Sequence, residues 1–296
     1  MKKKISEYLE CEADKKDSDV KEYEYDSSKF VWSYFEIVYA NSLLSERYDI
    51  TNKCNLRVIL DSNKKILKKP CKGGRRITAL IKSAERKKMQ KNAGEKIIGN
   101  LSRLGGECDF NFNEIKVGKF RKIIEKCKEK TEAEKDTIKT RLENYSAKHH
   151  SLLNLSLMQV VGNMQKVKQN GGFGEKLDRL DSFVYWLGQY YENDCELILY
   201  EASKANRNSL KFFLDSFKKD GASKGEAIYE YCKQIYFIYG EIEINGINLD
   251  AKKFVSELTK NGKKYIDTSK DLEYYMSLAD KFWAFKEKHY DDTQNK

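Results

Sequence analysis

Pro70 is the only proline in 296 residues. Without Pro-rich spacers, any domain boundary must be made by Gly and polar turns, or the elements pack into one continuous body. The chain has the material for such a body, because 40% of it is apolar and 12% aromatic, including 19 Tyr and 14 Phe. That content is far above a disordered polymer's and suffices to bury a core. The expected fold class is therefore α+β, mainly helical, with a few short strands and hairpins. Three regions are expected: an acidic arm at 1–26, a basic α+β region at 27–150 and an aromatic-rich helical region at 151–296.

Charge is distributed unevenly over these regions. Between Lys64 and Lys96 stand thirteen Lys or Arg against Glu85 and Glu95, a net of +11, while the whole chain is +10. The other 263 residues thus sum to −1. Uniform solubilising charge would be spread out, so this concentration points to an anion-bearing partner. Between Glu7 and Asp26 the balance reverses, with nine acids and three Lys, net −6.

The basic stretch begins with a loop, Lys68-Lys69-Pro70-Cys71-Lys72-Gly73-Gly74-Arg75-Arg76, since Pro and Gly-Gly break regular structure. After it, Ile77, Leu80, Ile81 and Ala84 fall on one helical face, which would turn Lys82, Arg86, Lys87 and Lys91 outward. The candidate partner-binding residues are Lys68, Lys69, Lys72, Arg75, Arg76, Lys82, Arg86, Lys87 and Lys91. They suit phosphates or an acidic protein face equally. The loop is not a phosphate-binding loop of the nucleotide-hydrolase kind, because no Lys followed by Ser or Thr comes after its second Gly.

Elsewhere the spacing predicts a helix from Ser28 through Phe30, Val31, Tyr34, Phe35 and Val38, capped by Ser27 or Ser28. Strands are predicted at 55–61 and, by period-two alternation, at 108–117. One long charged helix follows from Lys119 to about His149, with His149-His150 at its end. Past the apolar run 152–161 and the Gly-rich turn 171–174, Asp178 or Asp181 is expected to cap a helix carrying Phe183, Val184, Leu187, Tyr190 and Tyr191. Further helices are expected at 209–219, 224–239, 250–259 and 271–289, with a type I′ hairpin at 241–249 around Asn245-Gly246.

Catalytic chemistry finds little support. Asp61 at a strand end and Glu114-Ile115-Lys116 on another strand would form the D…ExK arrangement of metal-dependent nucleases, where two carboxylates hold Mg²⁺. In a chain one-third charged this tripeptide is cheap, and the usual Pro-Asp turn is missing. The seven cysteines form no CxxC pair and read as reduced thiols, and three His offer little for zinc. No catalytic residue, metal or cofactor is assigned. The start of the chain turns acidic where a signal peptide needs an apolar stretch, and no run approaches a membrane span, so a cytoplasmic protein without membrane contact is expected.

Fourteen aromatics lie between Phe183 and Tyr239, several as adjacent pairs. Neighbours on a helix point about 100° apart, so one of each pair tends to leave the core stripe. Tyr185, Trp186, Tyr190 and Tyr191 are accordingly the candidate anchors of an oligomer interface.

Leu-Asn-Leu-Ser-Leu-Met-Gln-Val-Val-Gly-Asn-Met from Leu152, Asp-Arg-Leu-Asp-Ser-Phe from Asp178 and Leu-Lys-Phe-Phe-Leu-Asp-Ser-Phe from Leu210 resemble segments of proteins from low-GC Gram-positive bacteria and their phages. Size and Lys-rich composition are also similar to phage anti-defence proteins that oppose the Gabija nuclease and helicase system. The resemblance covers about a quarter of the chain and carries over no functional residue. It implies a non-enzymatic, multimeric inhibitor that binds a host defence complex and blocks its access to DNA. Beside it stand a nucleic-acid-binding protein using the basic loop and helix, and the D…ExK nuclease.

Overall fold

The structure, a computed structural model, describes residues 29–55, 59–60, 66–67, 77–85, 87, 91, 103–149, 151–159, 179–199, 204–218, 223–261 and 265–294. It is a mainly helical α+β fold. In chain order the elements are α1 (Lys29–Val38), α2 (Leu43–Arg47), β1 (Tyr48–Asn55), β2 (Ile59–Leu60), β3 (Ile66–Leu67), β4 (Ile77–Ile81), β5 (Arg103–Cys108), α3 (Glu114–Lys126) and α4 (Glu132–Lys148). They continue through β6 (Leu155–Gln159), α5 (Leu180–Asn193), α6 (Lys204–Asp215), α7 (Lys224–Tyr236), β7 (Glu241–Ile244), β8 (Ile247–Asp250), α8 (Ala251–Asn261) and α9 (Ser269–Gln294). Short 3₁₀ turns precede β6 at Leu152–Asn154 and follow α5 at Glu196–Leu199.

Four strands form an antiparallel sheet in the order β1-β4-β5-β6, with an irregularity in β1 between Asp49 and Lys53. The division expected at 150/151 falls between α4 and β6, and this sheet spans it. Ile77–Ile81 is a sheet strand between β1 and β5, not the expected helix. Five residues of Ile-Thr-Ala-Leu-Ile satisfy helical spacing and strand propensity alike, and pairing on both edges decides for the strand.

The strand expected over 108–117 also needs correction. β5 ends at Cys108, and Asn113 caps α3 by accepting the Lys116 N–H at 2.9 Å. The polar residues of that alternation, Asp109 and Asn111, are buried together with Phe110 and Phe112. The single helix expected from Lys119 to His149 is two. Cys127 ends α3, and Thr131 opens α4 with a capping box in which its hydroxyl accepts the Glu134 N–H and the Glu134 carboxylate accepts the Thr131 N–H.

Other expectations hold in outline. The first helix begins at Lys29, with its expected caps outside the described residues, and the helices α6 to α9 fall close to their expected spans. The hairpin β7/β8 turns through Asn245 (φ 53°) and Gly246 (φ 77°), the left-handed pair a type I′ turn requires. At α5 the N-cap is Arg179 rather than an acid, and Asp181 instead receives a two-point ion pair from its guanidinium, with Nε at 3.0 Å from Oδ1. Asp178 and the 171–174 turn lie outside the described residues.

Helix α9, about 39 Å long, is the spine of the molecule. Its Tyr275 and Trp283 rings join Phe112, Phe120 and Tyr145 in one aromatic cluster, with Phe112 centred 4.9 Å from Tyr145 and 5.2 Å from Tyr275. Near its other end the Tyr290 hydroxyl meets that of Tyr34 on α1. Tyr39, just past α1, donates to the Ile235 carbonyl at 2.9 Å and accepts the Leu157 N–H at 3.0 Å, which ties the sheet to α7.

Candidate functional site: a lysine-lined cleft at the head of α9

Most of the basic stretch foreseen as a binding surface lies outside the described residues: Lys68, Lys69, Lys72, Arg75, Arg76 and Arg86, together with Cys71. Lys82, Lys87 and Lys91 are described and exposed. Lys82 directly follows β4, where its backbone N–H donates to the Arg47 carbonyl at 2.8 Å and its ammonium to the Ser45 carbonyl at 2.6 Å. It thus fastens the end of the sheet to α2.

The candidate interface aromatics face inward. Trp186, Tyr190 and Tyr191 are buried and Tyr185 is half-buried. Both members of the Tyr190-Tyr191 pair stay inside because α5 is covered on more than one side, by α7 and α8 and by the end of α6. There Tyr191 donates to the Leu214 carbonyl at 2.8 Å and Tyr190 to Asp215 at 2.9 Å. Trp186, Tyr190 and Tyr191 are therefore core of the protomer, and for the Tyr190-Tyr191 pair the expectation that one ring is presented to solvent is corrected. A helix apolar nearly all round is a buried helix.

The nuclease arrangement fails on geometry. Asp61 lies outside the described residues, and Glu114 and Lys116 sit on the first turn of α3 rather than on a strand. Two residues apart on a helix, they point about 200° apart. Glu114 faces solvent and Lys116 is only 7% exposed.

Among the described residues two clusters of polar side chains bear on function. The first is a junction inside the protein where β5, β6 and α9 meet. The Lys286 ammonium donates to the Asp109 carboxylate at 3.2 Å, the Leu155 carbonyl at 2.6 Å and the Ser156 hydroxyl at 2.8 Å. Ser156 in turn donates to Asp109 at 2.6 Å. Alongside, Asn154 uses its whole amide: its NH₂ donates to the Phe110 and His149 carbonyls at 2.7 Å, while its oxygen accepts the Phe110 N–H at 2.9 Å and the Trp283 indole N–H at 3.3 Å. His149, the C-cap of α4, turns its ring inward so that Nδ1 accepts the Phe112 N–H at 3.4 Å, rather than serving as a solvent-facing charge at the helix end. A serine beside a lysine has the makings of a nucleophile. Here Asp109, Ser156 and Lys286 are all 0% exposed, so no substrate reaches them, and the cluster works as an internal strut.

The second cluster is open to solvent. Between α3, the turn after it and the first turn of α9 runs a cleft of about 750 Å³, lined by Lys116, Lys119, Lys122, Lys126, Lys128 and Lys270 against the acids Glu129 and Asp267. Phe120, Ile123 and Ile266 form its apolar part. The spacing of Lys116, Lys119, Lys122 and Lys126 sets four ammonium groups along about 15 Å of helix, within an arc of about 120°. The aliphatic stems of Lys119, Lys122 and Lys126 can lie on the apolar part while their exposed charges stay in water, whereas Lys116 is buried. Ile115 falls within the same arc and is 74% exposed. Among the described residues Lys119, Lys122, Lys126, Lys128 and Lys270 have no ion-pair partner.

The turn that shapes one end of the cleft is tightly held. Lys130 pairs with Glu273 at 2.9 Å, which raises its pKa, and Thr268 caps α9 by accepting the Asp271 N–H at 3.1 Å. The Cys127 thiol lies 3.4 Å from the Ser269 hydroxyl, and this hydrogen bond, with backbone N–H groups of Glu129 and Lys130, holds it below the usual thiol range. The lysine spacing 116-119-122-126 stands in the sequence, but it is a weaker concentration of charge than the run at 64–96.

Comparison of the chain with protein families, with curated proteins and with solved structures finds no match. Fold and surface thus define a mainly helical α+β protein with a cationic cleft. Among the described residues no helix is long and apolar enough to cross a membrane.

Proposed function

We propose that this protein acts by binding, as a non-enzymatic inhibitor that self-associates and engages an acidic face of a bacterial anti-phage defence complex of the Gabija type, blocking its access to or cleavage of DNA. The observation that carries the binding part is the cleft, where six lysines stand against two acids, with Ile115 exposed on the arc of α3 that carries four of them. An excess of like charge in a concavity focuses a potential that steers an anionic surface into place. An exposed aliphatic side chain within the same arc suits a protein surface better than a phosphate backbone. The Gabija-like partner itself rests on the resemblance in size and Lys-rich composition to phage anti-defence proteins.

The test is to mix the full chain with a purified Gabija-like nuclease and helicase complex after nuclease treatment. Co-elution in fixed stoichiometry, with loss of DNA cleavage, is expected. Separate elution, or association that disappears when nucleic acid is digested, overturns the proposal in favour of a nucleic-acid-binding protein.

A further inference from the structure

Glycines inside two helices of this protein are used differently. In α5, Gly188 lets α8 come close, since a Cβ there would stand 3.5 Å from the Thr259 methyl carbon. In α3, a Cβ on Gly118 would meet nothing within 4 Å among the described residues. Glycine is the poorest helix former after proline, so Gly118 weakens α3, and no contact among the described residues calls for it. It lies on the exposed side of the helix, beside Ile115, Lys119, Lys122 and Lys126. We propose that an acidic helix of the partner crosses α3 at Gly118, its backbone close against the glycine, its carboxylates over Lys119, Lys122 and Lys126, and an apolar side chain on Ile115. The proposal rests on the binding part of the reading above and gives the shape of what binds.

Spacing selects a helix over an extended strand. Steps of three and four residues set Lys119, Lys122 and Lys126 about 4.5 and 6 Å apart along α3. Acids at i, i+3 and i+7 of a helix lying alongside repeat at the same steps, whereas residues on one face of a strand come about 6.6 Å apart and fall out of step. From Ile115 to Lys126 the face runs about 16 Å, three turns of a partner helix. Helix axes approach to about 8 Å only where the side chains at the crossing are small, and Gly118 offers that place.

The two flanks of the crossing differ in sign. In projection down α3, Lys119, Lys122 and Lys126 lie to one side of Gly118, and the exposed Glu114 and Glu125 to the other. Like charges set across an interface are rejected, so an acidic helix fits only with its carboxylates turned to the lysines and away from the two glutamates. Arg121, beyond these acids, is already paired with Glu143 of α4 at 3.0 Å. The same chemistry disfavours a nucleic-acid duplex, whose phosphates would also meet Glu114 and Glu125. No arginine of the cleft lining grips phosphate by two parallel bonds, and its one aromatic, Phe120, is buried and gives no stacking platform.

Fluorescence anisotropy with the full chain and two synthetic peptides tests this. One peptide is a stapled helix of about four turns with Glu at i, i+3 and i+7 and Leu beside them; the other has its helix broken by central prolines. The helical peptide is expected to bind at least about tenfold more tightly than the broken one. Gly118→Leu should weaken the helical peptide at least about tenfold while the thermal midpoint holds or rises, because leucine is the better helix former. Gly118→Ala should shift both readings in the same directions, affinity by less. Gly225→Ala, at an open glycine in the first turn of α7, should leave affinity unchanged. Equal affinity for the two peptides, no binding of the helical one, undiminished affinity in Gly118→Leu, or a lowered midpoint in both Gly118 variants overturns the proposal. Tighter binding of a DNA duplex than of the helical peptide at about 0.15 M salt overturns it too. No defence complex enters the assay, so its failure leaves the inhibitor reading standing, and a failed complex with peptide binding intact removes that reading alone.

Discussion

Lys286 and Lys119 are both lysines on packed helices of one molecule, and their surroundings could hardly differ more. Lys286 is wholly buried, and carboxylate, carbonyl and hydroxyl oxygens receive its ammonium. Lys119 stands exposed in a cleft with five other lysines and no ion-pair partner among the described residues. A charge taken out of water must be met inside the protein, so the buried lysine reports on architecture. Like charges gathered in excess on a concave surface raise the potential at small benefit to stability, which is what the proposed binding role of the exposed lysines would use.

The sharpest way to break this contrast is on its buried side. Lys286→Met leaves Asp109 charged and without its ion-pair partner, and the expected loss is about 3–5 kcal/mol in urea unfolding. Changing Asp109 to Asn in the same chain should recover part of that loss. A single variant as stable as the parent would remove the strut from the account.

A second test concerns the other buried ionisable groups. Burial raises the phenols of Tyr39, Tyr191, Tyr231 and Tyr236 above their ordinary 10.0, and pushes the Cys232 thiol well above its ordinary 9.0. The unfolded chain therefore releases these protons first and binds fewer of them, so stability falls as pH rises through 9 and then 10. Each group adds about 1.4 kcal/mol per pH unit to that slope. Thermal midpoints recorded from pH 8 to 11 should drop ever more steeply, and a flat profile would contradict the burial of these side chains.

Long periodic elements were legible in the sequence and short ones were not. The helices α7 and α9 and the Asn245-Gly246 hairpin follow from apolar spacing and turn chemistry alone. Ile77–Ile81 was misread because five apolar residues fit both periods, and only its neighbours β1 and β5 make it a strand. Thr131-x-x-Glu134 is a capping box written in the sequence, but uninterrupted charge on either side hid the break before α4. The polar residues of 108–117 looked solvent-facing because alternation cannot reveal that Lys286, 177 residues beyond Asp109, supplies a buried partner. The cleft went unseen for a similar reason. Four of its lysines are regularly spaced on α3, but Lys270 joins them only when the head of α9 folds back beside that helix.

The most direct measurement pairs stability with binding in one variant, Lys119→Glu with Lys122→Glu. The thermal midpoint should stay close to that of the parent, with a stability change below about 0.5 kcal/mol. Affinity for the purified defence complex should fall at least about tenfold, or about 1.4 kcal/mol. An undiminished complex, or a destabilisation as large as that of Lys286→Met, would show that the cleft lysines serve the fold and not a partner.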